Sequence, residues 1–150
     1  MALNRFGPGV VALCCDHSGF DLKEKTKAVL SELGIRYVDF GTYVNKNCDQ
    51  VDYTTLACNA ISSGACSHGL GFCRTGQAIN MAANRCKGIR AALIYDEYSA
   101  EYSIRHNGAN FFSVSSKVIS DMKPILETLM DATFEGGRHQ VRVKKIMELQ

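Results

Sequence analysis

An α/β fold with a five-stranded parallel sheet and helices on both faces is what this sequence predicts, and three observations carry it. Apolar runs of strand length alternate five times with segments of helical pattern. Some of these runs are apolar without a break, as in residues 10–15, which suits strands buried on both faces of a parallel sheet. The connections are of ordinary length, and nothing in the chain suggests repeats, linkers or low complexity.

The first strand, Val10-Val11-Ala12-Leu13-Cys14-Cys15, is broken by Asp16-His17-Ser18-Gly19. Residues 21–33 then show helical periodicity through Leu22, Ala28, Val29, Leu30 and Leu33, and Gly34 supplies a C-terminal stop. Residues 36–40 read as a second strand, and the polar stretch 42–52 as a surface loop. Residues 53–63 form a helix with Leu56, Ala57, Ala60 and Ile61 inward. Gly69 to Cys73 makes the third strand, followed by an Ala- and Met-rich helix over 77–85. A fourth strand covers 89–95, a short helix 98–106, and Asn107-Gly108 is a turn. A fifth strand at 111–114 leads to a long amphipathic helix over 118–134, with Pro124 near its start, and to a basic helix over 138–150.

The 150 residues suit one domain, 1–150. Apolar content of 46 % and charged content of 21 % are ordinary for a soluble globular protein. A net charge of +2 offers no concentrated basic face for nucleic acid, and no apolar run is long enough to span a membrane. The N-terminal stretch Met1 to Gly9 lacks the layout of a secretory leader. Seven cysteines, an odd number with no Cys-x-x-Cys pair, argue against a disulfide framework and against a thiolate metal cluster. A reducing cytoplasmic location fits them.

The chemistry concentrates in the strand-to-helix turn Cys73-Arg74-Thr75-Gly76. Ligands bind at the carboxyl ends of parallel strands, and the free amides of a helix start attract anions and lower the pKa of a nearby thiol. Asp16 and His17 stand in the first such turn, and His106 and Asn107 follow the fourth helix. Read as one rim, they give an acid, a thiol, two imidazoles and a carboxamide. Each has a plainer reading: Asp16 as a helix cap, Cys73 as a small core residue, the histidines as satisfied side chains, Asn107 as a turn residue. Arg138 and Arg142, four apart on the last helix, share a face, and paired guanidiniums suit a phosphate. A solvated basic helix is the alternative. The P-loop, the dinucleotide fingerprint and the receiver domain are set aside, because Gln77-Ala78, Arg74 and Cys73 occupy positions those motifs need otherwise.

These residues resemble the type B ribose-5-phosphate isomerases and their galactose-6-phosphate isomerase relatives. The matching pieces are Cys15-Asp16-His17-Ser18-Gly19-Phe20, Asp39-Phe40-Gly41-Thr42, Asp52-Tyr53, Cys73-x-Thr75-Gly76, Ala82-Ala83-Asn84, Gly88-Ile89-Arg90-Ala91, Arg105-His106-Asn107 and Glu135-Gly136-Gly137-Arg138-His139-Gln140-x-Arg142. The resemblance implies a Rossmann-like three-layer αβα sandwich, a homodimer with shared active sites, and no metal or organic cofactor. It implies interconversion of D-ribose 5-phosphate and D-ribulose 5-phosphate through an enediolate, in the pentose phosphate pathway. A six-carbon aldose phosphate isomerase and a non-catalytic sugar-phosphate-binding module are the alternatives.

By the same resemblance Cys73 is the base, and His106 opens the sugar ring. Asp16, His17, Tyr53 and Asn107 contact the sugar. The backbone of Arg74, Thr75, Gly76, Gln77 and Ala78 cradles the enediolate, and Lys117, Arg138 and Arg142 hold the phosphate. The family turn usually runs Cys-Gly-Thr-Gly-x-Gly-x-Ser, so Arg74, Ala78 and Asn80 depart from it, and Lys117 stands where an arginine is usual. Thr54 replaces a common proline, and residues 44–51 are longer than usual.

Overall fold

A computed structural model describes residues 6–150; the first five residues, part of the stretch read for a secretory leader, lie outside the described residues. Strands β1 (Val11–Cys15), β2 (Tyr37–Asp39), β3 (His68–Cys73), β4 (Ala91–Ile94) and β5 (Phe111–Ser115) form one sheet in the order β2-β1-β3-β5-β4. Every pairing is parallel. The helices are α1 (Phe20–Glu32), α2 (Gln50–Ser62), α3 (Gln77–Asn84), α4 (Glu97–Arg105), α5 (Lys123–Asp131) and α6 (Arg138–Met147). A 3-10 turn, His17–Gly19, links β1 to α1.

Alternation along β1 sorts the core into two halves. Val11, Leu13 and Cys15 join a buried cluster with Leu30, Ile104, Leu126 and Leu129, which α1, α4 and α5 supply. Ala12 and Cys14 join a second, with Ala57, Cys58 and Ile61 of α2 and Ile79 and Ala83 of α3. The sandwich therefore has three layers, as the resemblance implies. On the α2/α3 face β3 carries Gly69 and Gly71 beneath Phe111, where added Cβ atoms would lie 2.6 and 2.7 Å from the Phe111 ring, before Cys73 ends the strand. At the amino edge of the sheet, the Gln150 side chain accepts from the Gly88 amide at 2.9 Å and donates to the Cys86 and Ile89 carbonyls. Arg90 Nε donates to the Gly108 carbonyl at 2.8 Å, tying the starts of β4 and β5 together.

Two expectations need correction. The helix expected over 118–134 is only the nine residues of α5, because Pro124 sits in its first turn. Proline has no amide hydrogen to give and starts a helix more readily than it continues one. Residues 118–122 form an irregular turn with Val118 exposed. Leu56, expected inward, is half exposed, because the buried stripe of α2 runs through Thr54, Ala57, Cys58 and Ile61.

Candidate active site

The strand order reverses between β1 and β3: β2 lies on one side of β1, and the chain then crosses to β3 on the other. Such switch points open a crevice at the carboxyl ends of the strands. Cys15 and Cys73 end β1 and β3 there, so Asp16, His17 and residues 74–78 emerge beside the crevice.

Asp16 takes the capping role its plainer reading assigns. Its carboxylate accepts from the Gly19 amide at 3.0 Å and from Ser18 Oγ at 2.8 Å. Gly19 is required for close approach, since a Cβ there would lie 2.2 Å from the Phe72 carbonyl oxygen. The Cys48 amide donates to His17 Nδ1 at 3.4 Å, which makes Nε2 the ring nitrogen that carries the hydrogen. Tyr53, near the start of α2, packs its ring where a Gly41 Cβ would be, 2.5 Å from Cδ1. Beneath them Lys23, fully buried, donates to both Asp39 oxygens and to the Thr42 carbonyl at 2.7 Å. Burial pushes the Asp39 carboxyl up, but its bonds to Lys23 and Lys27 outweigh this and hold it below the usual carboxylate range.

Cys73 faces the α2/α3 layer and is 4 % exposed. The Gly76 amide donates to its Sγ at 3.1 Å. Gly76 precedes α3 with φ of 75°, a conformation that favours glycine, and a Cβ there would meet Leu93 Cδ1 at 2.6 Å. The Gln77 amide is satisfied by Thr75 Oγ1 at 3.2 Å. No described residue other than glycine has positive φ, so Arg74 and Ala78 occupy the turn without backbone strain. Their side chains are exposed, as are those of Thr75, Gln77 and Lys117.

The remaining predicted residues are elsewhere. His106 and Asn107 follow α4, and a helix-to-strand connection in a parallel sheet falls at the amino edge, opposite Cys73. The Asn110 carbonyl next to them accepts from the Gly69 amide at 2.9 Å, at the start of β3. The rise along β3 alone separates the two edges by about 17 Å. A single rim holding both Cys73 and His106 of one chain is therefore a misreading. Arg138 opens α6 beside His106, and Arg142 lies one turn further along; both are exposed.

Around His106 the structure adds two residues to which no role was given. The His139 ring, buried, stacks on His106 with centroids 4.1 Å apart and an interplanar angle of 11°. Glu135 places one carboxylate oxygen 3.7 Å from His106 Nε2 and 3.4 Å from His139 Nε2. Burial first, then His106 and Arg138, lower the basicity of His139. Hydrogen bonds from Arg105 hold Glu135 below the usual carboxylate range. The three ligand-type atoms lie within 4.8 Å of one another. Stacked rings nevertheless point their in-plane lone pairs along parallel lines and not at one point, and Arg105 holds the other Glu135 oxygen, so the trio is a ring stack beside an Arg-paired carboxylate and not a metal cage. The signal available in the sequence was the place of Glu135 and His139 in the matched segment from Glu135 to Arg142.

A parallel three-layer fold with a thiol, a carboxylate and an imidazole at its switch point defines a small-molecule site of the α/β class. The chain belongs to the Ribose/Galactose Isomerase family, whose sequence profile matches residues 11–146. It is 37% identical over 142 residues to ribose-5-phosphate isomerase B of Escherichia coli K12, covering 93% of this chain and 95% of that one. The structure is similar to that of Clostridium thermocellum ribose-5-phosphate isomerase B, with a TM-score of 0.90, 37% identity and coverage of 93% and 96%. It is also similar to ribose-5-phosphate isomerase B of Mycoplasma genitalium with bound ribulose-5-phosphate, with a TM-score of 0.87, 32% identity and coverage of 93% and 95%.

Proposed function

We propose that the chain, acting as one domain over its whole length, interconverts D-ribose 5-phosphate and D-ribulose 5-phosphate as a cytoplasmic homodimer. The observation that carries this reading is Cys73 at the β1/β3 switch point, with an amide at the head of α3 donating to its sulfur. Cys73 takes the proton from C2 of the open-chain aldose and returns it to C1 of the enediolate. The amides of Arg74, Thr75 and Ala78, not committed to the Cys73 or Thr75 side chains, face the developing oxyanion. Asp16, His17 and Tyr53 contact the sugar.

His106, Asn107, Arg138 and Arg142 reach this crevice only from a second copy of the chain, because their own subunit holds them at the far edge. Within that copy His106 moves the proton that opens the furanose ring, Asn107 holds a sugar oxygen, and the two arginines hold the phosphate with Lys117. Exposed apolar side chains on the α2/α3 layer, Val51, Leu56 and Met81, supply surface for such a partner. All seven thiols are free, in keeping with a reducing compartment, and no helix among the described residues is long and apolar enough to cross a membrane.

The test is Cys73→Ala. Turnover of ribose 5-phosphate falls at least about a hundredfold while the sugar phosphate still binds. Near-normal turnover, or wild-type binding with no exchange of carbon-bound hydrogen in heavy water, refutes the assignment.

A further inference from the structure

A cavity of about 480 Å³ opens at the amino edge of the sheet, the edge opposite Cys73. That volume falls within the roughly 300–1,000 Å³ of small-molecule sites. Five segments build its wall. Ile61 and Ser62 end α2, Lys87 lies in the turn after α3, Arg90 precedes β4, Asn110 precedes β5, and Met147 ends α6. Most polar groups of this wall are already committed. Ser62 Oγ donates to the Lys87 carbonyl at 2.6 Å, and the Asn110 side chain accepts from the Arg90 amide at 2.8 Å and donates to the Gly88 carbonyl at 2.9 Å.

The Arg90 guanidinium is the exception. Its Nε donates to the Gly108 carbonyl at 2.8 Å, which fixes the stem. Nη1 reaches only the Met147 thioether, at 3.6 Å, and Nη2 is buried with no acceptor. Among the described residues no carboxylate lies within ion-pair reach of Arg90. Burial lowers its basicity, with no neighbouring acid to restore it. Buried charges are ordinarily paired, and a guanidinium with two idle amino groups presents the fork that fits the two oxygens of a carboxylate. The rest of an occupant would lie against Ile61 and Met147, which favour an apolar body over a bare inorganic anion. Lys87, exposed at the rim, adds a second positive charge that favours an acid over a neutral molecule.

We propose that this cavity binds a small monocarboxylic acid with an apolar body, its carboxylate taking the place of the Met147 thioether on Nη1 and Nη2 of Arg90. Met147 gives way because its side chain is unbranched and its sulfur is a weak acceptor. All the residues that hold the acid belong to one chain, and the inference does not rest on the isomerase reading.

The test titrates sodium benzoate into the full-length protein at constant ionic strength, following the backbone amide resonances of Gly88, Arg90 and Asn110 and the Met147 methyl group. Benzamide, of the same shape but neutral, and inorganic phosphate, charged but without an apolar body, are titrated in parallel. Saturable shifts are expected with benzoate, and affinities at least about tenfold weaker with the other two. Met147→Glu brings a carboxylate of the chain's own to the guanidinium and is expected to abolish benzoate binding. Arg90→Lys keeps the charge without the fork and is expected to weaken benzoate at least about fivefold. Absence of saturation with benzoate, equal affinity for benzamide or for phosphate, or wild-type benzoate affinity in the Met147→Glu protein overturns the site. The comparison of the three probes uses the wild-type protein alone, so it decides the matter even where Arg90→Lys, which disturbs the tie to Gly108, does not fold.

Discussion

Cys73 differs from the other buried thiols in what its sulfur meets. Burial pushes Cys15 up to about 12 and raises Cys14 and Cys58 further, so these sulfurs stay protonated and serve as packing. Cys73 is equally hidden, yet an amide at a helix start points at it. A second buried group gives a pH prediction. His68, stacked on Phe112 and tilted against Phe6, is lowered from 6.5 to about 4, first by burial and then by Arg90. Its folded value lies below its unfolded one, so the unfolded chain binds the extra proton. The neutral ring's contribution is therefore complete above pH 6.5 and disappears as the pH falls to 4, a change of order 3 kcal/mol. Urea unfolding of wild type and His68→Phe at several pH values should show the wild type losing that much more stability across the window. Equal slopes would remove His68 as the cause.

At the scale of elements, α3 and α6 carry complementary halves of the proposed chemistry. The head of α3 is fixed by Gly76 and capped by Thr75, and its partial positive charge acts on whatever anion occupies the crevice. α6 buries His139 and Val143 and leaves Arg138 and Arg142 in solvent, about 100° further round the helix. Arg142→Ala should leave the helix in place and raise KM for ribose 5-phosphate about tenfold or more, with kcat changed less than about threefold. Steady-state kinetics check this, and an unchanged KM returns α6 to the plain solvated helix. α5 is the element that local periodicity overstated. Its apolar pattern extends to both sides, but Pro124 fixes where amide bonding can start, and Ala132 leaves the helix with extended ψ of 140°.

For the whole molecule, the proposed joining of residues from opposite edges of one sheet calls for two chains. Mixing provides a direct check, using Cys73→Ala and His106→Ala proteins that are each inactive alone. If each site joins Cys73 of one subunit to His106 of the other, a mixed dimer holds one intact site and one doubly impaired site. Unfolding and refolding the two together at equal amounts should restore about a quarter of wild-type activity, since half the dimers are mixed and each has one working site. A site built within one subunit predicts no recovery.

The sequence by itself determined the alternation of strands and helices, the all-parallel sheet, and the turn that carries Cys73, because each follows from local apolar runs and breakers. It also held, unread, the position of His106: in a parallel sheet a connection from helix to strand has to lie at the amino edge. The tertiary structure alone decided that β5 sits between β3 and β4, that Leu56 faces outward, and that Ile61, Arg90 and Met147 wall one cavity. Strand order and cavity walls depend on how distant segments pack together, and that packing leaves no periodic trace in any one segment.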